Sequence, residues 1–305
     1  MSSEDITFSQ LFEKWHEEKS KSTGEITNRL YRSYFDKYIS DDIASLAVND
    51  IDFEEWSKLE KAMLDGKAPN GVNVPKTTAR QALTVFHAAF RFGRERFGLN
   101  DPSRGGQISS KNMYTVTVFD RSEVAKMRAA VKPFDIYQLC IMLCLYTGAE
   151  VNEICAVKWK DIDTLERLLK IRRISKGGQK SSFEVIQPKN RKIIRDLPIP
   201  SWIAEQLEIM KPMHSEEEYI LAGPDGSAYP ATFRAQYIAF LKSAGVEKRI
   251  VNALRHTFAM TCIEKNVDVK TLSEMLGHSN SMVTVRMYYG VQKKDKRALI
   301  ESLYD

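Results

Sequence analysis

Cysteine is scarce in this chain and shows no pairing pattern. Four of the 305 residues are cysteines, Cys140, Cys144, Cys155 and Cys262, all in apolar stretches without CxxC spacing. That excludes a disulfide scaffold and reads as buried free thiols in a reducing compartment. The five histidines (His16, His87, His214, His256, His278) are scattered and compose no zinc pattern, so no metal is expected. No apolar run approaches the ~20 residues that span a bilayer. The opening "MSSEDITFSQ" has no basic segment leading into an apolar one. Membrane and secretory classes are set aside, and a cytoplasmic, nucleoid-associated location is expected. Internal repeats are absent too.

Charge of one sign is not abundant: the formal net charge is +5 and the isoelectric point near 8.8. Its distribution says more. Between positions 170 and 195 stand Lys170, Arg172, Arg173, Lys176, Lys180, Lys189, Arg191, Lys192 and Arg195, against a single acid, Glu184. A solvated hairpin and a phosphate-contacting edge both fit such a run.

The first hundred residues read as helices only. Thr7 and Gln10 form a capping box ahead of Leu11, Phe12 and Trp15. Ile26, Leu30, Tyr34 and Tyr38 share one face of a second helix. A third starts near Asp52 and is expected to bury Phe53, Trp56, Leu59 and Met63. After a Gly/Pro/Asn-rich loop, "TTARQALTVFHAAFRFGRERF" makes a fourth. The expected organisation is a four-helix domain over 1–100, a polar linker over 101–117 and a second domain over 118–305 with a tail helix. In that second domain Asp120 caps a helix, and an apolar helix stops at Gly148. "LLKIRRI", "SSFEVIQ" and "IIRDLPI" predict one small antiparallel sheet of three strands, "KGGQ" being its first turn. The fold class is mainly α with a small antiparallel sheet.

Three stretches carry the chemistry. "YTGAEVNEI" places Glu150 and Glu153 three residues apart, on one helical face. A paired-carboxylate glycosidase or two-metal reading of them lacks a matching His/Asp cluster. "LRHTFA" sets Arg255 and His256 in the first turn of a helix that Asn252 can cap. "LGHSNSMVTVRMYYGV" puts His278 after a glycine helix end capped at its start by Asp268, then a helix capped by Ser281 with Tyr288 and Tyr289 near its end. Singly each has a bland explanation: a surface arginine, a loop histidine, a packed tyrosine pair. The ordered set of Arg, "LGH" and then Tyr ten residues after the histidine is what stands out.

On those motifs the chain resembles the tyrosine recombinases, the family of phage and transposon integrases. "LRHTFA" and "LGHSNSMVTVRMYYGV" carry the likeness, while the N-terminal half matches in layout alone: a helical core-binding domain of SAM-like type ahead of a catalytic domain. The resemblance implies site-specific cutting and rejoining of double-stranded DNA through a 3′-phosphotyrosyl intermediate, with no cofactor. It implies Tyr288 as nucleophile, with Tyr289 the alternative. It implies Arg255 as the second arginine, His278 as the late histidine and Lys189 as the hairpin lysine, with Lys192 a near neighbour. Glu153 is the acid normally found in its box, and His256 is a supporting residue. Arg80, Arg91, Arg94, Lys176, Lys180, Arg191 and Lys192 are candidate DNA contacts, and self-association into a tetramer on DNA is expected.

Two positions depart from the pattern. Glu150 stands where the family has its first arginine, and Asn252 where it has a His or Lys. Glu150 is then expected to turn aside and pair with a cation such as Arg172, to be protonated by burial, or to impair the reaction. Two readings stay open: a recombinase, and a degenerate relative that occupies DNA without strand exchange. The first needs the Tyr288 phenol aimed into a cationic pocket beside Arg255, not packed away in hydrophobic surroundings.

Overall fold

A computed structural model describes residues 6–105, 116–176, 184–188, 193–223, 226, 228–278 and 280–289, with the side chains of Arg286 and Tyr289 outside that set. The chain forms two compact units, Met1–Asn112 and Met113–Asp305. Among the described residues no helix is long and apolar enough to cross a membrane.

The first unit comprises α1 (Phe8–Ser20), α2 (Glu25–Tyr38), the short α3 (Asp41–Ser45), a 3-10 turn (Val48–Asp50), α4 (Phe53–Leu64) and α5 (Lys76–Phe97). The sequence foresaw neither α3 nor the turn. The expected caps form: the Thr7–Gln10 box and the Asp52 side chain accepting from Glu55 N–H. An aromatic core holds these helices together. Phe8 stacks on Phe90 at 4.5 Å, Phe12 on Phe35 at 4.2 Å, and Trp56 meets Phe90 edge-on at 4.7 Å. Gly93 lets α1 approach α5, since a Cβ there would lie 2.9 Å from Leu11 Cδ2. Three residues assigned to this core are instead exposed: Ile26, Leu30 and Phe53. They sit on the right helices, but in the first two turns of α2 and at the start of α4, where the packed face does not cover them.

The second unit begins with α6 (Arg121–Ala130), which Asp120 and Glu123 cap reciprocally. Next comes α7 (Ile136–Thr147), buried without interruption from Leu139 to Leu145, as a helix apolar on every side must be. It packs on α10 (Pro230–Ser243) and α11 (Ala253–Glu264). A four-residue helix, α8 (Val151–Ile154), leads into the strands. In place of one three-stranded sheet there are two small antiparallel sheets. β1 (Ile162–Asp163), β2 (Leu168–Ile171) and β5 (Arg195–Pro198) make one; β3 (Ile174–Lys176) and β4 (Glu184–Ile186) make the other. Leu169 pairs with both Ile162 and Leu197, and all three side chains are buried. The expected turn at 177–179 lies outside the described residues.

After α9 (Ser201–Met210) and α10, the chain ends its described course with α11, α12 (Val269–Leu276), α13 (Ser281–Thr284) and a π-helical turn, Val285–Tyr289. Asp268 caps α12 as expected. Two other caps need correction. Asn252 makes no side-chain capping bond to α11, and α13 is capped by Asn280, whose side chain accepts from Met282 N–H, not by Ser281. Cys140, Cys144 and Cys155 are buried, and burial pushes the Cys155 thiol up to about 12; Cys262 is only partly buried.

Candidate active site

The site grows from the ends of two helices. α7 stops at Gly148 with φ +72°, and α12 at Gly277 with φ +71°, the left-handed conformation that glycine adopts without strain. Space requires glycine as well. A Cβ on residue 148 would lie 2.5 Å from Phe258 Cδ1, and one on residue 277 would lie 2.8 Å from Arg195 Nη1. Both helix ends thus close down on α11 and β5.

Arg255, in the first turn of α11, bridges them. Its Nη1 donates to the Gly148 carbonyl at 2.8 Å and its Nη2 to the Leu276 carbonyl at 2.6 Å. Carbonyls at helix C-termini carry negative dipole ends, so a buried guanidinium is stabilised between two of them. Glu150 Oε1 lies 3.4 Å from the same Nη2. An arginine has five N–H groups; the two carbonyls leave the remainder of this one for an anion.

Glu150 and Glu153 take opposite roles. Glu153 is saturated: its carboxylate accepts from Arg195 Nη1 at 2.7 Å, Arg195 Nη2 at 2.9 Å and the Glu150 backbone N–H at 2.8 Å. Arg195 in turn donates Nε to the Met275 carbonyl at 2.6 Å and Nη1 to the Ile193 carbonyl at 2.9 Å. The Glu150 side chain is 52% exposed and pairs with Arg255. The expected partner Arg172 is engaged by Asp196 at 2.6 Å, because the pairing of Ile171 with Arg195 at the end of β2 and β5 brings it within reach.

Tyr288 lies at the end of the described chain. Its ring is fully buried in a small cluster with Phe258, Ala259, Ile263, Leu272 and Leu276. This departs from the expectation of a phenol open to a phosphate pocket. The oxygen nonetheless has a polar partner: Tyr288 Oη and His256 Nδ1 are 2.8 Å apart. Burial raises the phenol pKa, opposed by the Arg255 charge, and Glu150 raises it further. Burial, and then Arg255, lower that of His256. His278 Nδ1 bonds Thr284 Oγ1 at 2.8 Å, which ties α13 to the end of α12. Burial and the nearby Arg255 and Arg195 hold His278 down to about 4, so it is neutral at pH 7. Beside it Ile194, Arg195, Lys270, Ser273, Glu274, His278 and Ser281 line a cleft of about 390 Å³.

One cluster therefore brings together Tyr288, Arg255, His256, Glu150, Glu153 and His278. Asn252 is exposed, and its carbonyl accepts from His256 N–H at 2.9 Å. Lys189, Lys180, Arg191 and Lys192 lie outside the described residues, as does the Tyr289 side chain, while Lys176 is exposed at the end of β3. In the first unit Arg91 is exposed and Arg80 partly so; Arg94 is tied to Asp101 at 2.9 Å. Sequence reasoning missed Arg195 and Thr284. The one signal for the first was that Glu153, if buried, needs a cationic partner.

Residues 117–295 match the phage integrase family. The chain is 30% identical over 213 residues to a tyrosine recombinase XerC-like protein of Caldanaerobacter subterraneus subsp. tengcongensis, an alignment covering 62% of this chain and 54% of that one. It therefore spans about half the length of that relative. It is 29% identical to the tyrosine recombinase XerA of Thermococcus kodakarensis, over 72% of this chain and 75% of the relative. In structure it is similar to the Tn1549 transposon integrase in complex with a circular intermediate DNA (TM-score 0.81, 16% identity, 98% of this chain and 99% of that one). It is also similar to a lambda integrase dimer bound to a COC′ core site (TM-score 0.67, 17% identity, 96% and 80%). At such identities the likeness is one of fold: mainly helical with small antiparallel sheets.

Proposed function

The chain belongs to the phage integrase family, and on that premise we propose that it cuts and rejoins double-stranded DNA as a site-specific tyrosine recombinase, with Tyr288 as nucleophile. The observation that carries the reading is the 2.8 Å bond holding the Tyr288 oxygen to His256, in the same cluster as the Arg255 guanidinium. In the reaction, Tyr288 Oη attacks a backbone phosphorus, the P–O5′ bond breaks, and the 5′ oxygen leaves as a hydroxyl, with Lys189 the proposed proton donor. Phosphodiester energy is kept in the tyrosyl ester, so the reverse step with another strand needs no further input. Arg255 binds the non-bridging oxygens, where charge builds in the transition state. Arg195 and Glu153 hold the helix ends that place it. Lys176, Lys180, Arg191, Lys192, Arg80, Arg91 and Arg94 are the proposed backbone contacts, with assembly into a tetramer on DNA in the cytoplasm.

Glu150 makes the activity conditional. A carboxylate ~4 Å from a phosphate oxygen costs about 4 kcal/mol at an effective dielectric near 20. Half exposed, it can swing into solvent when phosphate arrives, at the loss of one weak ion pair. The alternative reading, a degenerate DNA-binding relative, draws on that same carboxylate and on the buried Tyr288 ring.

The test is covalent trapping on a library of nicked duplexes of randomised sequence, with adducts separated under denaturing conditions and their DNA sequenced. The natural chain forms an adduct that Tyr288→Phe abolishes, and Glu150→Arg raises the rate of its formation by up to the ~10³–10⁵ that a transition-state arginine contributes. No adduct from either the natural or the Glu150→Arg chain establishes the degenerate reading.

A further inference from the structure

We infer that His256 is the general base for the nucleophile: its Nδ1 receives the Tyr288 proton as the phenol oxygen bonds to phosphorus. The inference rests on the recombinase reading above and assigns a step in it to a residue of this chain.

The geometry is specific. Tyr288 is 0% exposed, so without DNA its oxygen is sealed against the imidazole, and the pair has to open towards a phosphate for the reaction. The partner in contact is an imidazole nitrogen at 2.8 Å, with ring centroids 5.7 Å apart and planes at 60°. His256 follows Arg255 in the first turn of α11, and its backbone N–H is fixed on the Asn252 carbonyl. Among the described residues, the charged or titratable neighbours acting on His256 and Tyr288 are Arg255 on the same helix and Glu150 at the start of α8. Asn252 is exposed and has no basic nitrogen, so it cannot take the proton.

The electrostatics set the timing. Burial and Arg255 keep the imidazole neutral at pH 7, with a lone pair free to accept from the phenol. Burial makes the phenol harder to ionise. Complete transfer before attack would leave an imidazolium next to a guanidinium and an unsolvated phenolate. The proton therefore moves as the Oη–P bond forms and the phosphoryl group gathers negative charge beside Arg255. The balance is simple. Oη–P forms, P–O5′ breaks, the phenol proton goes to His256 Nδ1, and the 5′ oxygen gains one from a separate donor. On religation His256 returns its proton to the departing phenolate. No oxidant, reductant or metal enters.

The experiment measures adduct formation on the nicked duplexes by the natural chain and by His256→Gln, each with Tyr288 or with the more acidic trifluorotyrosine at 288. The Gln variant is expected to bind DNA normally and to lose on the order of 10²–10³ in adduct rate, the usual contribution of a general base. Trifluorotyrosine, needing the base less, should recover most of that loss. A His256→Gln chain that cuts as fast as its parent overturns the assignment. So does a deficit that trifluorotyrosine leaves unchanged, or one erased by a 5′-bridging phosphorothiolate, which would place His256 on the leaving-group side. If His256→Gln does not fold, the two otherwise intact chains decide. Acidification should slow the tyrosine form more steeply than the fluorinated one, and parallel profiles refute the proposal. If the natural chain gives no adduct, the series is run on Glu150→Arg. No adduct there sinks the recombinase reading together with this one, whereas unimpaired His256→Gln sinks this one alone.

Discussion

Two arginine–carboxylate pairs flank the same two helix ends, and they are built differently. Arg195 and Glu153 meet through two bonds of 2.7 and 2.9 Å, with side chains 8% and 5% exposed, and Arg195 also donates to the Met275 and Ile193 carbonyls. Arg255 and Glu150 meet at a single 3.4 Å approach, the arginine buried and the carboxylate facing water. The first pair is buried and bidentate, and most of its hydrogen-bonding groups are committed within the protein. The second joins a buried cation, held by two carbonyls, to a half-exposed anion. A closely bonded ion pair and a looser one thus lie side by side, told apart by burial and by the number of bonds between the partners.

The largest effect should come from breaking the closed pair. Removing one member of a buried, hydrogen-bonded pair strands the other, at about 3–5 kcal/mol. Arg195→Ala should lower the urea midpoint accordingly; a cost under about 1 kcal/mol would remove the distinction between the pairs. Next is the glycine on which Arg255 depends. Gly148→Ala adds left-handed strain of about 1–3 kcal/mol and a Cβ 2.5 Å from Phe258, and should lower Tm and DNA cleavage together. The smallest effect separates the open pair. Glu150→Ala should leave stability within about 0.5 kcal/mol, so a loss comparable with that of Arg195→Ala would make Glu150 part of the scaffold.

Acid provides a further probe of this corner of the molecule. The folded-state pKa of His278, about 4, lies below the ordinary 6.5. The unfolded chain therefore binds more protons between those values, and stability falls as the pH drops through that window, with nothing gained above it. His278→Gln should flatten that part of the Tm profile; an unchanged slope would mean that other groups carry it.

What could be read from the sequence was local. Thr7 with Gln10, Asp52, Asp120 and Asp268 announce their helices because a capping side chain and the N–H that donates to it lie three residues apart. Gly148 and Gly277 were legible as helix ends but not as contact points, since Phe258 and Arg195 are far away in the chain. Periodicity placed Ile26, Leu30 and Phe53 on helical faces but could not say how far along the helix the covering surface extends. Pairing of β2 with β5 across β3 and β4 is non-local and was read as one sheet instead of two. The cluster around Arg255 was outlined by motif order. The partner of Glu150 was misjudged: Arg172 is nearer in sequence, yet a strand pair turns it to Asp196.

The acceptors that pin Arg255 belong to the main chain, at residues 148 and 276. Exchanging a side chain does not delete a peptide oxygen, so mutational drift that spares the helix paths leaves this guanidinium seated. Changes at exposed Glu150 disturb no such anchor. In an evolving lineage the residue at position 150 can change while the guanidinium beneath it keeps its place.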